Sequence, residues 1–332
     1  MLAAIEKNLK TALRFVADIR PPKLNLLTAD EQTRRSWAKV LESYDEVPDV
    51  YRDFLKTLPG GAPPYMVLTP SYEGFINRTS ERLFCSFGDR VFVAEKQRDG
   101  VTSTCYPFED INYVEVGAIL LKAWVKISGV AGNGVLTSST LRFNSVTDYM
   151  FAPLLTGIRP AVHDAGGADL SSERAKFEYL QKLNFKFMNY ARRSILPGEK
   201  VLQTILQPAI RFQIFKMFDL PFSRTISTAH ITILTDKELI IIQDEATKLR
   251  MGKNAEYGGI WKYIPLNRIA SASLAQREDN LLALSIHLCA DDRIETLFAA
   301  SNEHELRLFL ERLEGLLPGP AARRMMPAPQ AA

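Results

Sequence analysis

The chain holds few residues whose types and spacing could do chemistry. Its four histidines, His163, His230, His287 and His304, lie far apart with no metal-ligand spacing among them, and Cys85, Cys105 and Cys289 form no Cys-x-x-Cys pair. The nucleophile-elbow, P-loop and His-Glu-x-x-His patterns are absent. GVAGNGV (129–135) has the glycines of a phosphate cradle, but it joins two strand-like stretches and opens no helix, so it lacks the N–H groups such a cradle uses. Asp291, Asp292 and Glu295 resemble a carboxylate cluster, yet a hairpin turn running into a solvated strand accounts for them more simply. No catalytic residue, metal or cofactor is expected, and the chain does not read as an enzyme.

Two segments instead suggest binding. FQIFKMFDLPF (212–222) sets Phe215, Met217 and Phe218 among further apolar residues, with Lys216 and Asp219 its only charges. It reads either as a strand end packed on a neighbouring element or as an exposed loop entering a partner's groove or a bilayer. ATKLRMGKNAEY (246–257) carries Lys248, Arg250 and Lys253, which are either solvated loop charge or a patch attracted to an anionic surface. The stretch 171–193 has the spacing of a basic amphipathic helix, with Phe177, Leu180, Phe187 and Tyr190 near one face. The candidate binding residues are thus Phe215, Lys216, Met217, Phe218, Lys248, Arg250 and Lys253.

The elements that position these segments are β-strands. ITILTDKELIIIQDE (231–245) has two β-branched and leucine-rich runs around an Asp236-Lys237 turn, the pattern of a hairpin. Its features recur. Asp89-Arg90 matches Asp236-Lys237 at an offset of 147, Pro59 matches Pro197 at 138, Pro107 and Ile111 match Pro265 and Ile269 at 158, and Ser145 matches Ser301 at 156. The offset changes between apolar segments, where loops absorb insertions. In the second copy strands are expected near 201–213, 224–234, 238–244, 259–265, 268–276, 281–289 and 292–299, followed by a helix over 302–316. Ser145 and Ser301 are placed to cap the two closing helices, and Pro153 falls in the middle of the first. Helical stretches are expected before each Leu-Pro-Gly, over 30–57 and 171–193.

Seven antiparallel strands followed by one amphipathic helix is a plan that resembles the pleckstrin-homology-like fold. LTDKELIII, then YIPLNRIASASL, then a C-terminal amphipathic helix are similar to bacterial PH and GRAM-type domains in particular. The resemblance implies an α+β, mainly β chain with two PH-like barrels, each of seven strands plus a C-terminal helix and each preceded by helical segments. In many such domains the first loop meets lipid through a Lys-x(n)-Arg-x-Arg pattern, which Lys216 and Arg224 do not reproduce.

The expected layout is an N-terminal helical segment (1–57), a first PH-like domain (58–160), a linker with an amphipathic helix (161–195), a second PH-like domain (196–317) and a disordered tail (318–332). A hydrophobic share of 46% beside 24% charged residues fits a globular protein. A net charge of +3 is too small to indicate nucleic acid. Three separated cysteines suit free thiols in a cytoplasmic setting. Together these features point to a non-catalytic intracellular binding module that meets a protein or peptide. The alternatives are a peripheral membrane module reading anionic lipid through 212–222 and its basic neighbours, and a regulatory subunit or enzyme with a site between the two copies.

Overall fold

A computed structural model describes residues 35–58, 65–73, 78–159, 169–217, 220–245, 258–278 and 280–317, without the side chains of 72, 73, 78, 79, 213–217 and 220–224. The fold is mixed α+β and mainly β, built from antiparallel sheets. Its logic starts at Leu239–Ile242. An unbroken apolar run bounded by turns needs both faces covered, and both are. Leu239 and Ile241 face one core, Ile240 and Ile242 another.

The first half runs β1 (Lys39–Leu41), α1 (Asp49–Lys56), β2 (Tyr65–Thr69), a β3–β4 hairpin (Tyr72–Glu73, Arg78–Thr79), β5 (Arg82–Ser86), β6 (Arg90–Gln97), β7 (Gly100–Pro107), β8 (Ile111–Ile119), β9 (Lys122–Val130), β10 (Leu136–Asn144) and α2 (Ala152–Ile158). The second runs α3 (Leu170–Ala175), α4 (Phe185–Ser194), β11 (Val201–Gln207), a β12–β13 hairpin (Ile210–Met217, Leu220–Ser227), β14 (His230–Thr235), β15 (Glu238–Gln243), β16 (Gly259–Pro265), β17 (Ile269–Arg277), β18 (Leu281–Leu288), β19 (Arg293–Ala299) and α5 (Glu303–Leu316).

The pairing ladder of one half repeats in the other. After β7 and after β16 a proline at φ −59° opens a 3-10 turn, and its missing N–H ends the ladder there. The next strand then carries a bulge one residue on, between Ile111 and Tyr113 and again between Ile269 and Ser271. Core positions correspond as well. Phe143, Phe151, Leu154 and Ile158 of the first half answer to Phe298, Leu306, Phe309 and Leu313, each 155 residues later and all buried. Outside each first sheet lies a preceding helix, with Tyr51 and Leu55 of α1 against Leu83 and Phe92, and Phe187 and Ala191 of α4 against Ile231 and Ile240.

Several expectations change. The stretch 30–57 is not simply helical. Of its described residues, Arg35 is helical, 39–41 form β1 on the edge of β2, a short 3-10 turn follows, and 49–56 make an α-helix. The expected helix over 171–193 is broken, because Asn184 leaves helical geometry and its side chain accepts from the Phe187 N–H to start α4 afresh. Ser145 and Ser301 are not caps. Asn144 accepts from the Val146 N–H, and α5 begins after Asn302 with no side-chain cap. Pro153 sits in the first turn of α2, where no N–H is needed, so it breaks nothing. The turn alignment shifts by one residue. The Phe108 N–H donates to the Asp89 carbonyl as the Leu266 N–H does to that of Lys237, so Asp89 answers to Lys237 at 148.

The halves do not stand apart as two barrels, and no described sheet closes on itself. Strands β8 and β16 pair from Gly259↔Ala118 to Tyr263↔Val114, which joins the second sheet of the first half to the first sheet of the second. The result is one seven-stranded sheet, β10-β9-β8-β16-β15-β14-β11. The sheet β1-β2-β5-β6-β7 flanks it on the first half's side and β17-β18-β19 on the second's. The described residues from Ser36 to Leu317 accordingly form one compact unit.

Candidate functional site

Two places bring functional side chains together: an open groove in the first half and a closed polar joint between the halves. The groove, about 510 Å³, lies between α2 and the Phe87-Gly88 turn after β5. Tyr65, Phe87 and Phe108 line it with Ala152, Pro153, Thr156 and Gly157 of the helix. A Cβ at 157 would come within 2.3 Å of the Phe108 ring, so a larger residue there has to displace that ring. The Tyr65 hydroxyl donates to the Met150 carbonyl at 2.8 Å, tying β2 to the 3-10 segment that leads into α2. In the second half the helix positions 155 residues later are Arg307, Leu308, Glu311 and Arg312. There Arg312 donates to the Leu202 carbonyl at 2.6 Å, laying a long side chain where the first half has Gly157. Small helix residues therefore make the groove.

At the joint, Arg159 follows α2 and reaches into the second half. Its Nε lies 2.9 Å from both oxygens of Glu238, its Nη2 donates to the Ser194 carbonyl at 2.6 Å, and its plane stacks 3.7 Å from the Tyr263 ring centre. Glu199, which accepts from the Leu196 N–H at 2.9 Å, completes the cluster. Burial, and then the charge of Glu238, push its carboxyl up to about 8, so it keeps its proton at neutral pH. A group so tuned can serve acid–base catalysis. Arg159, Glu199 and Glu238 are each at most 9% exposed, and none of them lines the groove.

A second set of polar bonds crosses the same boundary. The β8 bulge turns Asn112 toward the second half, where its amide donates to the Cys289 carbonyl at 2.9 Å and its oxygen accepts from Arg268 Nε at 3.2 Å. Ser128 donates to Asp292 at 2.9 Å. Asp292, read from sequence as a turn residue, thus also anchors the halves to each other, while Asp291 beside it adopts φ 61° in the turn.

Of the seven expected binding residues, three have a described backbone and four lie outside the described residues. Phe215, Lys216 and Met217 lie at the end of the β12–β13 ladder, with Met217 opposite Leu220, and their side chains are outside the described residues. Phe218, Lys248, Arg250 and Lys253 are themselves outside the described residues. Phe212 at the hairpin's base is 52% exposed. Among the histidines, His230 is buried edge-on against Phe298 at 4.7 Å with Nδ1 3.0 Å from the Thr228 carbonyl, and burial pulls its pKa down to about 4. It is a neutral core residue. His304 lies on the exposed side of α5. Among the described residues no group of three or more His, Cys, Asp or Glu could hold a metal ion, and no helix is long and apolar enough to cross a bilayer.

Arg159, Glu199 and Glu238 escaped sequence reasoning because each stands alone among unlike neighbours, 39 or more residues from the next. The groove had one legible signal, the small residues Ala152, Thr156 and Gly157 on a helix whose partner carries Arg307, Glu311 and Arg312. Comparison with models of known protein families gives no match for this chain. Comparison with curated proteins gives none either.

Proposed function

We propose that the chain is a non-catalytic protein-binding module made of two PH-like repeats, and that the groove of the first repeat takes an extended apolar peptide segment. The observation that carries this reading is the groove itself: open, walled by three aromatic rings, and placed between the closing helix and the turn after β5. Peptide ligands of domains with this layout use such a cleft between sheet and helix. The pairing ladder and core positions common to both halves support the PH-like reading, and the closed joint argues against a substrate site between them.

The test fills the groove. Gly88 lines the groove and no heavy atom lies within 4 Å of a Cβ built there, so Gly88→Trp adds a bulky side chain at the opening with room for its Cβ. Peptides selected from a displayed random library on the full chain should be rich in aromatic and aliphatic residues. They should bind Gly88→Trp about tenfold more weakly, roughly 1.4 kcal/mol, with the melting temperature unchanged. Equal binding to both proteins, or no enrichment at all, would count against the groove.

A further inference from the structure

The β8–β16 joint leaves its own counterparts open. In the repeated ladder β7 is the equivalent of β16, and β17 the equivalent of β8. Both end their sheets, and neither has a strand partner on its outer side among the described residues. The chain therefore carries at one end the edge that the joint takes from the second half, and at the other the edge it takes from the first. We propose that copies of this chain associate head to tail, with β17 of one adding to β7 of the next as β8 adds to β16 within the chain.

Three observations favour a second copy as the occupant. First, neither edge carries a guard against pairing in its own described residues. Natural sheets guard their edges with charges, prolines or bulges, yet Val101–Cys105 and Ala272–Gln276 contain no charge and no proline, and the β17 bulge lies before Ser271. Second, the register follows from the internal joint moved by the repeat offset of 158. It sets Val101 opposite Gln276, Thr102 opposite Ala275, Ser103 opposite Leu274 and Thr104 opposite Ser273. The Cys105 carbonyl already accepts from the Gly132 N–H at 2.9 Å. Backbone groups alternate sides along a strand, so those of Ser103 and Val101 face outward too and carry the new bonds. Third, the ion pair of the joint recurs with its charges exchanged. Arg159 answers to Glu314 by the helix offset of 155, and Glu238 answers to Arg90 by 148. Where Arg159 holds Glu238 inside the chain, Glu314 of one copy would meet Arg90 of the next. Glu314 is exposed, and Arg90 contacts only its sequence neighbour Asp89 among the ion pairs of the described residues. Such a contact joins unlike surfaces, so it continues into a ring or a filament and does not stop at a two-fold dimer.

This inference is independent of the groove, which uses neither edge, so Gly88→Trp should leave association untouched. The full chain is followed by sedimentation over a range of concentrations, and should pass from single chains to species larger than dimers. Glu314→Arg should weaken association by roughly three- to tenfold, and adding Arg90→Glu should restore it. In a background of Cys105→Ser and Cys289→Ser, the pair Thr102→Cys with Ala275→Cys should give a ladder of disulfide-linked chains on mild oxidation. Either substitution alone should give none. Three results would overturn the proposal: single chains at every concentration, a ladder missing from the double variant, or crosslinks from Thr102→Cys alone, which would mark a two-fold β7–β7 pairing.

Discussion

Arg159 and Glu238, 79 residues apart, meet with the guanidinium Nη2 2.5 Å from the carboxylate, and neither side chain is more than 7% exposed. The pair joins the end of one repeat's helix to the first residue of the other's β15. Its value lies in what a break would leave behind, because a buried charge without its partner costs far more than the pair contributes.

Arg159→Met should therefore destabilise the chain by about 3–5 kcal/mol in urea or guanidinium unfolding. The double variant Arg159→Met with Glu238→Leu should recover most of that loss. A double variant as unstable as the single would show that the stacking on Tyr263, and not the charge, carries the contribution.

The same cluster sets a pH dependence. Glu199 keeps its proton up to about 8 when folded and releases it near the ordinary carboxylate value when unfolded. The folded state binds more protons between those limits, so stability falls as pH rises from about 4.5 to 8 and is level beyond. His230 acts oppositely: burial holds its folded pKa near 4, so its contribution is present above about 6.5 and lost as pH falls toward 4. The window from 6.5 to 8 belongs to Glu199 alone of the two. A decline of order 1–2 kcal/mol is expected there, and Glu199→Gln should flatten it.

Two glycines should respond in opposite senses to alanine. Gly258, at φ 105° just before β16, would place a Cβ 2.2 Å from the Ala118 carbonyl oxygen of β8. Gly258→Ala should cost about 1–3 kcal/mol and act at the joint. Gly315 lies within α5 with nothing near its missing Cβ, so Gly315→Ala should stabilise by about 0.5–1 kcal/mol. Thermal melts of the two variants give the comparison.

All three cysteines should be free. Cys85 and Cys105 both stand opposite Phe92, on strands either side of β6. That puts their Cα atoms about 9–10 Å apart, too far for a disulfide. Burial pushes the Cys85 thiol up to about 12, so a thiol reagent should reach it only on unfolding. Mass measurement without reductant, before and after denaturation, should count the late-reacting thiol.

What could be read in advance was whatever leaves a local mark. Leu239–Ile242 was legible as one strand of a hairpin, and Pro107 and Pro265 as matching positions of the two copies; that the strand is buried on both faces and that the prolines end ladders came only with the fold. The closing helix at 303–316 followed from its period, whereas the expected strands 201–213 and 224–234 are each split, at 208–209 and 228–229, because a separate β12–β13 hairpin leaves the sheet between β11 and β14. The break at Asn184 was masked by apolar spacing that continues through it. Cys289, expected on a strand, lies in the turn just past β18, where Ala290 takes φ 58°. The joint left no mark. Trp261 and Val116 pair across 145 residues, and nothing in either strand's alternation names a partner so distant.

The shared sheet also governs how the chain can be made. Strand β8 is complete at Ile119, yet its partner β16 ends only at Pro265. At about 5–20 residues per second a ribosome needs on the order of ten to thirty seconds to supply it. Throughout that interval the first half offers Val114 and Val116 on a bare edge to any neighbouring nascent chain, including others of its own kind on the same message. Synthesis thus passes through a sticky stage set by the order of the strands, and a slow codon run between 119 and 265 would prolong it.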